Sequence, residues 1–149
     1  MWGAVIGDLA GSIYEYEQIK SVKPVKNKEI IPDNAFYSDD TILTIAILDA
    51  IMHDIDYEKY LKLYGNKYST FKPNIEPYFE KVFSPGFIKW CEGKKEGIST
   101  GNGAMMRISP VGYMFNSEKE VKENSRLATM PSHNSKEAID AAEKVALII

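Results

Sequence analysis

The sequence predicts an all-α fold in one domain over residues 1–149, and three observations lead to this class. Apolar residues recur at the spacing of a helix in about six or seven segments, several of which begin with a capping serine. No segment shows the convincing alternation of apolar and polar residues that is typical of a strand. With 44% hydrophobic and 26% charged residues, the chain is expected to bury one core rather than remain disordered.

The first helix is predicted over residues 2–16, where the apolar side chains have helical spacing. Glycines recur at every fourth position of this helix: Gly3, Gly7 and Gly11. Because glycine costs a helix about 1 kcal/mol relative to alanine, three in register indicate that another backbone or a ligand approaches closely. A polar stripe runs along the same helix and consists of Asp8, Ser12 and Glu15. This stripe either faces water or carries functional side chains.

The second helix is predicted to begin at Ser38, after a loop over residues 18–36 that contains two prolines. Its sequence is apolar on nearly every face, so we expect it to be buried, with its first turn near the middle of the domain. Asp39 and Asp40 lie in that turn, where acidic residues usually cap the helix. Adjacent carboxylates can instead be held together by a cation, and oxygen ligands favour Mg²⁺, Mn²⁺ or Ca²⁺ over Zn²⁺.

The other helices are predicted from caps and apolar spacing, at residues 57–69, 84–93, 117–129 and 135–149. Ser117 and Glu120 form a capping box at the start of the third of these. Residues 70–83 contain two prolines and are expected to be irregular, with a short helix at their end. Residues 104–115 have an apolar pattern that Pro110 is expected to break or kink.

Two further motifs leave alternatives open. Gly101 and Gly103 flank Asn102 in a loop, where such a pattern is common in turns but can also expose backbone N–H groups to a phosphate. His133 follows Ser132 and is either a base or ligand-contacting residue, or a surface or satisfied core histidine. Taken singly, neither motif decides between a structural and a functional role.

The composition excludes several classes of protein. A formal net charge of −3 and a pI near 5.5 argue against a general nucleic-acid binder. The single cysteine, Cys91, permits no disulfide within the chain and is expected to serve packing rather than catalysis. The N-terminus lacks the basic leader of a signal peptide, and no stretch has the length of a membrane span. We therefore expect a cytoplasmic protein without a membrane anchor.

Four blocks occur in a fixed order along the chain, namely GDLAGSIYE, YSDDT, GNGAMMRISPVG and SHN. In order and in residues they resemble the ADP-ribosylglycohydrolase family, which includes the dinitrogenase reductase-activating glycohydrolases, and most of all its short bacterial members. The resemblance spans nearly the whole chain. It implies an all-α bundle whose central cleft holds two Mg²⁺ ions, or Mn²⁺ in some members. It also implies an activity that removes ADP-ribose from modified side chains or from other conjugates.

The resemblance assigns roles residue by residue. Ser38, Asp39 and Asp40 match the family's first metal block, with Ser38 in place of the usual threonine. Glu15 matches a glutamate near the metals and the scissile bond, so Glu15 and Asp40 are the expected catalytic residues. The expected substrate-binding residues come from the same four blocks: Asp8, Asn102, Gly103, Ala104, Met105 and His133.

The chain departs from the family pattern in one respect. The family's second metal block, of the DSDT or DTDT type, lies far beyond the SHN block, and residues 1–149 contain no equivalent. The resemblance therefore implies the N-terminal part of a single domain, a truncated bundle with at most half of the binuclear site. The last predicted helix ends in ALII without a cap. We expect a homo-oligomer or a complementing chain to cover this end.

Three functions remain open at the level of sequence. The first is a Mg²⁺-dependent hydrolase that removes ADP-ribose from a protein side chain or another conjugate through an N- or O-glycosidic bond. The second is a catalytically inactive module that binds ADP-ribose, or a non-functional fragment of the enzyme. The third is a structural or interaction protein that binds neither ligand nor metal. The sequence does not identify the linkage or the acceptor.

Overall fold

The computed structural model describes residues 2–14, 29–73, 81–94 and 99–149. Within these ranges the chain forms eight α-helices and no strand, which confirms the predicted all-α class. The helices are α1 Trp2–Gly11, α2 Asp39–Met52, α3 Tyr57–Lys67, α4 Pro85–Cys91, α5 Gly103–Met106, α6 Ser109–Met114, α7 Glu118–Thr129 and α8 Lys136–Ile148. None of them is long and apolar enough to cross a lipid bilayer.

Helix α2 forms the centre of the domain, as its sequence predicts. Half of its residues are buried, and α1, α3 and α6 all pack against it. Ser38 caps its N-terminus, where the Ser38 hydroxyl accepts a hydrogen bond from the Asp40 backbone N–H at 3.2 Å. The two acidic residues of its first turn face the positive end of the helix dipole. The start of α2 is therefore fixed both by its own cap and by the surrounding helices.

Helix α1 is shorter than the prediction and differs from α2 in its burial. It ends at Gly11 and continues as a 3₁₀ helix over Ser12–Tyr14, while Glu15 lies outside the described residues. No residue of α1 is buried, and Trp2 is 72% exposed. This helix is attached to the domain mainly along one side, through α2.

The described residues do not make the close backbone approach predicted from the three glycines of α1, and the alternative of a ligand there stays a prediction. A Cβ atom added at any of them would meet no described atom within 4 Å. The polar stripe, by contrast, does not simply face water, because Ser12 is only 2% exposed. The Ser12 hydroxyl donates to the Leu9 carbonyl at 2.9 Å and accepts from the Phe36 backbone N–H at 3.1 Å. The polar side of α1 thus contacts the domain, and its glycines lie in open space.

The caps predicted at Ser84 and Ser117 are present, and Ser135 caps a further helix. The serines at positions 84, 117 and 135 each accept a hydrogen bond from the backbone at the start of α4, α7 and α8. One half of the predicted capping box is present, since the Ser117 hydroxyl accepts from the Glu120 backbone N–H at 3.2 Å. The Glu120 carboxylate accepts from the Ser117 hydroxyl at 2.6 Å, whereas in a full capping box it accepts from the backbone N–H of the cap residue. The short helix expected at the end of residues 70–83 is absent from residues 81–83, and residues 74–80 lie outside the described ranges. In this chain, a serine that caps the first turn is thus the most reliable local signal of where a helix begins.

Pro110 has a different role from the one predicted. Residues 104–115 are divided at Arg107 and Ile108, and Pro110 lies in the first turn of α6 rather than at a break. A proline in a first turn removes an N–H group that has no partner within the helix. Gly112 then allows α6 to approach α8, because a Cβ there would lie 2.4 Å from the Ala146 carbonyl oxygen.

Cys91 packs in the core, as expected. It is 6% exposed and lies against Gly65 of α3, where an added Cβ would come within 2.4 Å of the Cys91 sulfur. Burial raises the pKa of the Cys91 thiol to about 11, which keeps it protonated at neutral pH. This cysteine therefore has the environment of a packing residue and not of a nucleophile.

Candidate functional site

A cavity of about 290 Å³ opens between α2, α4 and α5 and the turn that follows α7. Three of the four sequence blocks contribute to its wall: Asp39 comes from the second block, Asn102 and Gly103 from the third, and His133 from the fourth. Phe87 and Trp90 of α4 form part of its apolar side. Apolar walls with a few convergent polar groups are typical of small-molecule sites.

The first turn of α2 is held from outside by a carboxylate of α1. Asp8 accepts hydrogen bonds from the Ser38 backbone N–H at 2.8 Å, from the Ser38 hydroxyl at 2.7 Å and from the Thr41 backbone N–H at 3.1 Å. Both oxygens of Asp8 are thereby engaged, and Asp8 does not line the cavity. In the described structure Asp8 thus positions the aspartate turn rather than contacting the cavity.

The two aspartates of this turn point to different surroundings. Asp39 lines the cavity, whereas Asp40 lies on the side of Asp8 and is absent from the cavity wall. Burial, and secondly the nearby negative charge of Asp8, raise the pKa of the Asp40 carboxyl above its usual value. A cation between or beside two neighbouring carboxylates relieves the repulsion between their charges.

The donor chemistry of this turn fits a divalent cation in part. Asp39, Asp40 and the Ser38 hydroxyl supply hard oxygen ligands of the kind that Mg²⁺ prefers. Nevertheless, no three histidine, cysteine, aspartate or glutamate side chains are grouped as a metal site within residues 2–14, 29–73, 81–94 and 99–149. Glu15, the other acidic candidate, lies outside those ranges. The described residues therefore offer at most part of a metal shell, and Mg²⁺ binding stays a prediction.

The glycine-rich loop meets the histidine at the cavity wall. A Cβ at Gly103 would lie 3.2 Å from His133 Cε1 and 3.3 Å from His133 Nε2, so a side chain at this position would press on the ring. Asn102 is the N-cap residue of α5, but its side chain makes no capping hydrogen bond. Its amide is thus available at the cavity. Ala104 is buried, and neither it nor Met105 lines the cavity, although both were predicted to bind substrate.

A buried arginine lies against the cavity and was not among the predicted site residues. Arg107 is 1% exposed, and its Nη2 donates to the Ser132 hydroxyl at 2.6 Å and to the Ala128 carbonyl at 3.3 Å. Its Nε and Nη1 have no hydrogen-bond partner among the described residues. Burial lowers the pKa of Arg107 to about 10, partly offset by the charge of Asp39. Arg107 therefore remains a cation at neutral pH.

His133 is buried beside this cation. It is 4% exposed, and its Nδ1 lies 2.9 Å from the Ser132 hydroxyl. Burial and, to a smaller extent, the charge of Arg107 lower the pKa of His133 to about 4. The imidazole is consequently neutral at physiological pH, which disfavours the reading of His133 as a charged surface residue.

The structure thus brings together Asp39, Asn102, Gly103 and His133 at one cavity, whereas Asp8, Ala104 and Met105 do not line it. Ser38 and Asp40 lie in the adjacent turn. Sequence reasoning overlooked Arg107, although one signal was present. It is a charged residue inside an otherwise apolar run, and such a residue is seldom fully buried without a specific role.

Comparison with known proteins agrees with these blocks. The family model of the ADP-ribosylglycohydrolases matches residues 1–149. The chain is also similar to the ADP-ribosylhydrolase ARH3 of Mus musculus and of Homo sapiens, each with 25% identity over 174 aligned positions. The corresponding protein of Bos taurus is 24% identical. These alignments cover 99% of this chain and 46% to 47% of the relatives.

The chain therefore spans about half the length of the curated relatives it matches. Its helical fold, the cavity between the matching blocks and the family match over all 149 residues lead to one assignment. The chain belongs to the ADP-ribosylglycohydrolase family.

Proposed function

We propose that this chain carries the ADP-ribose-binding cavity and one side of the metal site of an ADP-ribosyl hydrolase. One observation carries the proposal: residues from three blocks that are far apart in sequence line one cavity, which also has a buried cation in its wall. The family match supports a reaction of the ADP-ribosyl glycohydrolase type. We propose that this reaction is the hydrolysis of an N- or O-glycosidic bond between ADP-ribose and a protein side chain or another conjugate.

The residues on the two sides of the cavity suit different parts of such a ligand. The amide of Asn102, the ring of His133 and the positive charge of Arg107 suit phosphate and hydroxyl oxygens. The carboxylate of Asp39 lies at the α2 side of the same cavity and suits ribose hydroxyls or the positive charge that develops at the anomeric carbon. At about 290 Å³, the cavity accommodates a sugar phosphate, and the remainder of ADP-ribose extends through its open side.

We further propose that Asp39, Asp40 and Ser38 contribute ligands to Mg²⁺, with Mn²⁺ as the alternative ion. A bound ion of this kind supplies Lewis acidity and a more acidic water. The role of the chain's own residues is to hold the oxygen donors in place, and Asp8 does so by bonding to the backbone of the same turn. Glu15 remains the proposed acid or base of the reaction, as the family resemblance implies.

A second candidate function is an ADP-ribose-binding module without turnover. The small number of metal ligands favours this candidate, because no group of three acidic, histidine or cysteine side chains forms a metal site in the described ranges. In such a module the cavity around Asn102, Arg107 and His133 would bind the ligand without an ion. The two candidates differ in whether binding requires a divalent cation.

The test is a calorimetric titration of ADP-ribose into the 149-residue chain, once with Mg²⁺ and once with excess EDTA. We expect binding that requires Mg²⁺ and that is reduced at least tenfold in Asp39→Ala, which removes the cavity carboxylate. Asp140→Ala is the matched control, since Asp140 is 43% exposed, does not line the cavity and pairs with Lys136 one turn away on α8.

The outcomes separate the candidates. Binding that persists unchanged in EDTA would favour the module without turnover. Absence of binding in both titrations would reject both candidates and leave a fragment or a structural role. Where Mg²⁺-dependent binding is found, release of ADP-ribose from ADP-ribosylated arginine and serine peptides would identify the linkage.

A further inference from the structure

Arg107, Ser132 and His133 form a continuous chain of polar contacts that ends at the cavity. Arg107 Nη2 lies 2.6 Å from the Ser132 hydroxyl oxygen, which in turn lies 2.9 Å from His133 Nδ1. A guanidinium group has donors and no acceptor, so the Ser132 oxygen must accept from Arg107. The direction of the first hydrogen bond is therefore fixed by chemistry alone.

The direction of the second bond follows from burial. Ser132 is 4% exposed, and within the described part of the chain its hydroxyl has only Arg107 and His133 as polar neighbours. If Nδ1 carried a proton, the serine hydroxyl would accept twice and its own proton would be buried without an acceptor. Such an unsatisfied buried donor is unfavourable. The hydroxyl therefore donates to Nδ1, and the neutral ring carries its proton on Nε2.

The Nε2 atom lies beside Gly103, which also lines the cavity. It has no hydrogen-bond partner among the described residues. We propose that Arg107 and Ser132 are positioning residues that hold His133 as a neutral hydrogen-bond donor, whose Nε2–H binds an oxygen acceptor of the ligand. The proposal rests on the proposed function only in taking ADP-ribose as the ligand. In this arrangement His133 does not act as a base toward the ligand, because its unprotonated nitrogen, Nδ1, accepts a hydrogen bond from the Ser132 hydroxyl.

The chain provides an internal reference with the opposite expectation. His53 is the only other histidine, and its Nδ1 lies 2.8 Å from the Asp49 backbone carbonyl, which can only accept. His53 is thus expected to carry its proton on Nδ1 in the neutral ring. Nitrogen-15 NMR of the ligand-free chain, labelled at histidine, distinguishes the two forms, and His53→Gln assigns the two rings.

We expect the His133 proton on Nε2 between pH 6 and pH 8. A His133 proton on Nδ1, or a ring that averages between the two forms, would overturn the proposal. In Ser132→Ala the hydrogen bond to Nδ1 is lost, and the His133 ring is expected to shift toward the form that carries its proton on Nδ1. Ser125→Ala is the matched control, because Ser125 is fully buried and its hydroxyl has no described partner. If Ser132→Ala fails to fold, the wild-type spectrum alone decides.

A second measurement tests the role of the donor toward a ligand. If the wild type binds ADP-ribose, we expect Ser132→Ala to bind it roughly tenfold more weakly, the loss of about one hydrogen bond, while Ser125→Ala binds it unchanged. Equal affinity of Ser132→Ala and the wild type would contradict the donor role. If the wild type does not bind ADP-ribose, the proposed function fails, and the spectrum of the ligand-free chain still decides the state of His133.

Discussion

At the scale of single residues, some polar side chains hold the backbone around the site in place, and others line the cavity itself. Asp8 was expected to bind substrate, yet its two oxygens accept from three donors at the start of α2. Asp39 and His133 instead face the cavity. A sequence motif places such residues near a site, but the packing of the helices decides which of them line the cavity.

Replacement of Asp8 tests its positioning role. Asp8→Ala removes the acceptor of three hydrogen bonds and leaves the Ser38 and Thr41 donors without it, so we expect a loss of about 2–3 kcal/mol in the free energy of unfolding. Asp8→Asn keeps one carbonyl oxygen and should lose less. Urea denaturation gives both values. If the Asp8→Ala variant is as stable as the wild type, these three hydrogen bonds make no net contribution to the free energy of unfolding.

The buried histidine gives a prediction about pH. The pKa of His133 is about 4 in the folded chain and near 6.5 when unfolded, so the unfolded state binds more protons between these values. Stability contributed by the neutral ring is therefore present above pH 6.5 and is lost as the pH falls toward 4. We expect the wild type to lose on the order of 3 kcal/mol more than His133→Gln between pH 7 and pH 4. Parallel denaturation curves for both proteins at the two pH values would contradict this.

At the scale of elements, caps and amphipathic spacing were enough to predict most helices. The starts of α2, α4, α7 and α8 follow from serines whose hydroxyls bond to the next turn, a local interaction that the sequence contains in full. The end of α1 and the role of Pro110 could not be predicted in the same way. They depend on which helix packs alongside, and this is a property of the tertiary structure.

The same limit applies to the candidate site. Its four sequence blocks predicted Asp39, Asn102, Gly103 and His133, which do line one cavity. Arg107 was overlooked because its importance lies in nearly complete burial and in two nitrogens without a hydrogen-bond partner among the described residues, and a linear pattern shows neither. Burial of a charge is decided by the whole fold.

The glycines of different helices should respond oppositely to alanine. A Cβ at Gly112 would lie 2.4 Å from the Ala146 carbonyl oxygen and 2.8 Å from Ile149 Cβ, so Gly112→Ala must push α6 and α8 apart. We expect a loss of about 1–3 kcal/mol in the free energy of unfolding. The same change at Gly7 meets nothing within 4 Å and should add about 0.5–1 kcal/mol by favouring the helix.

Thermal or urea unfolding of the two variants provides the comparison, and each is the control of the other because the chemical change is identical. Destabilisation by Gly7→Ala would indicate that α1 approaches a surface that the described residues do not include. Tolerance of Gly112→Ala would show that α6 and α8 can separate without loss of packing.

At the scale of the whole molecule, several large apolar side chains remain exposed, and some of them belong to the segments that line one groove. The groove has a volume of about 450 Å³ and runs between the start of α1, helices α5 and α6, and the end of α8. Tyr113 lines this groove and is 67% exposed. Trp2 and Ile148 are each next in sequence to a lining residue, and they are 72% and 85% exposed. Apolar surface of this kind is favourably buried by association.

We therefore expect the isolated chain to self-associate as its concentration rises. Sedimentation velocity should show a mean mass that increases with concentration for the wild type and stays near 16.8 kDa for a Trp2→Glu, Ile148→Glu double variant. Leu63→Glu is the control, since Leu63 is 51% exposed on α3, away from the groove. A wild-type chain that remains monomeric throughout would show that this surface is tolerated in water.

The attachment of α1 has a consequence for local unfolding. Because α1 buries no residue of its own and is joined to the domain through Asp8 and through the 3₁₀ turn at Ser12, it has little apolar contact to lose when it detaches. Opening of this helix would free the Ser38 and Thr41 amides, and with them the turn that carries both aspartates. Amide hydrogen exchange in the first turn of α2 should therefore follow the opening of α1, and an ion bound at that turn would slow the exchange of both segments together.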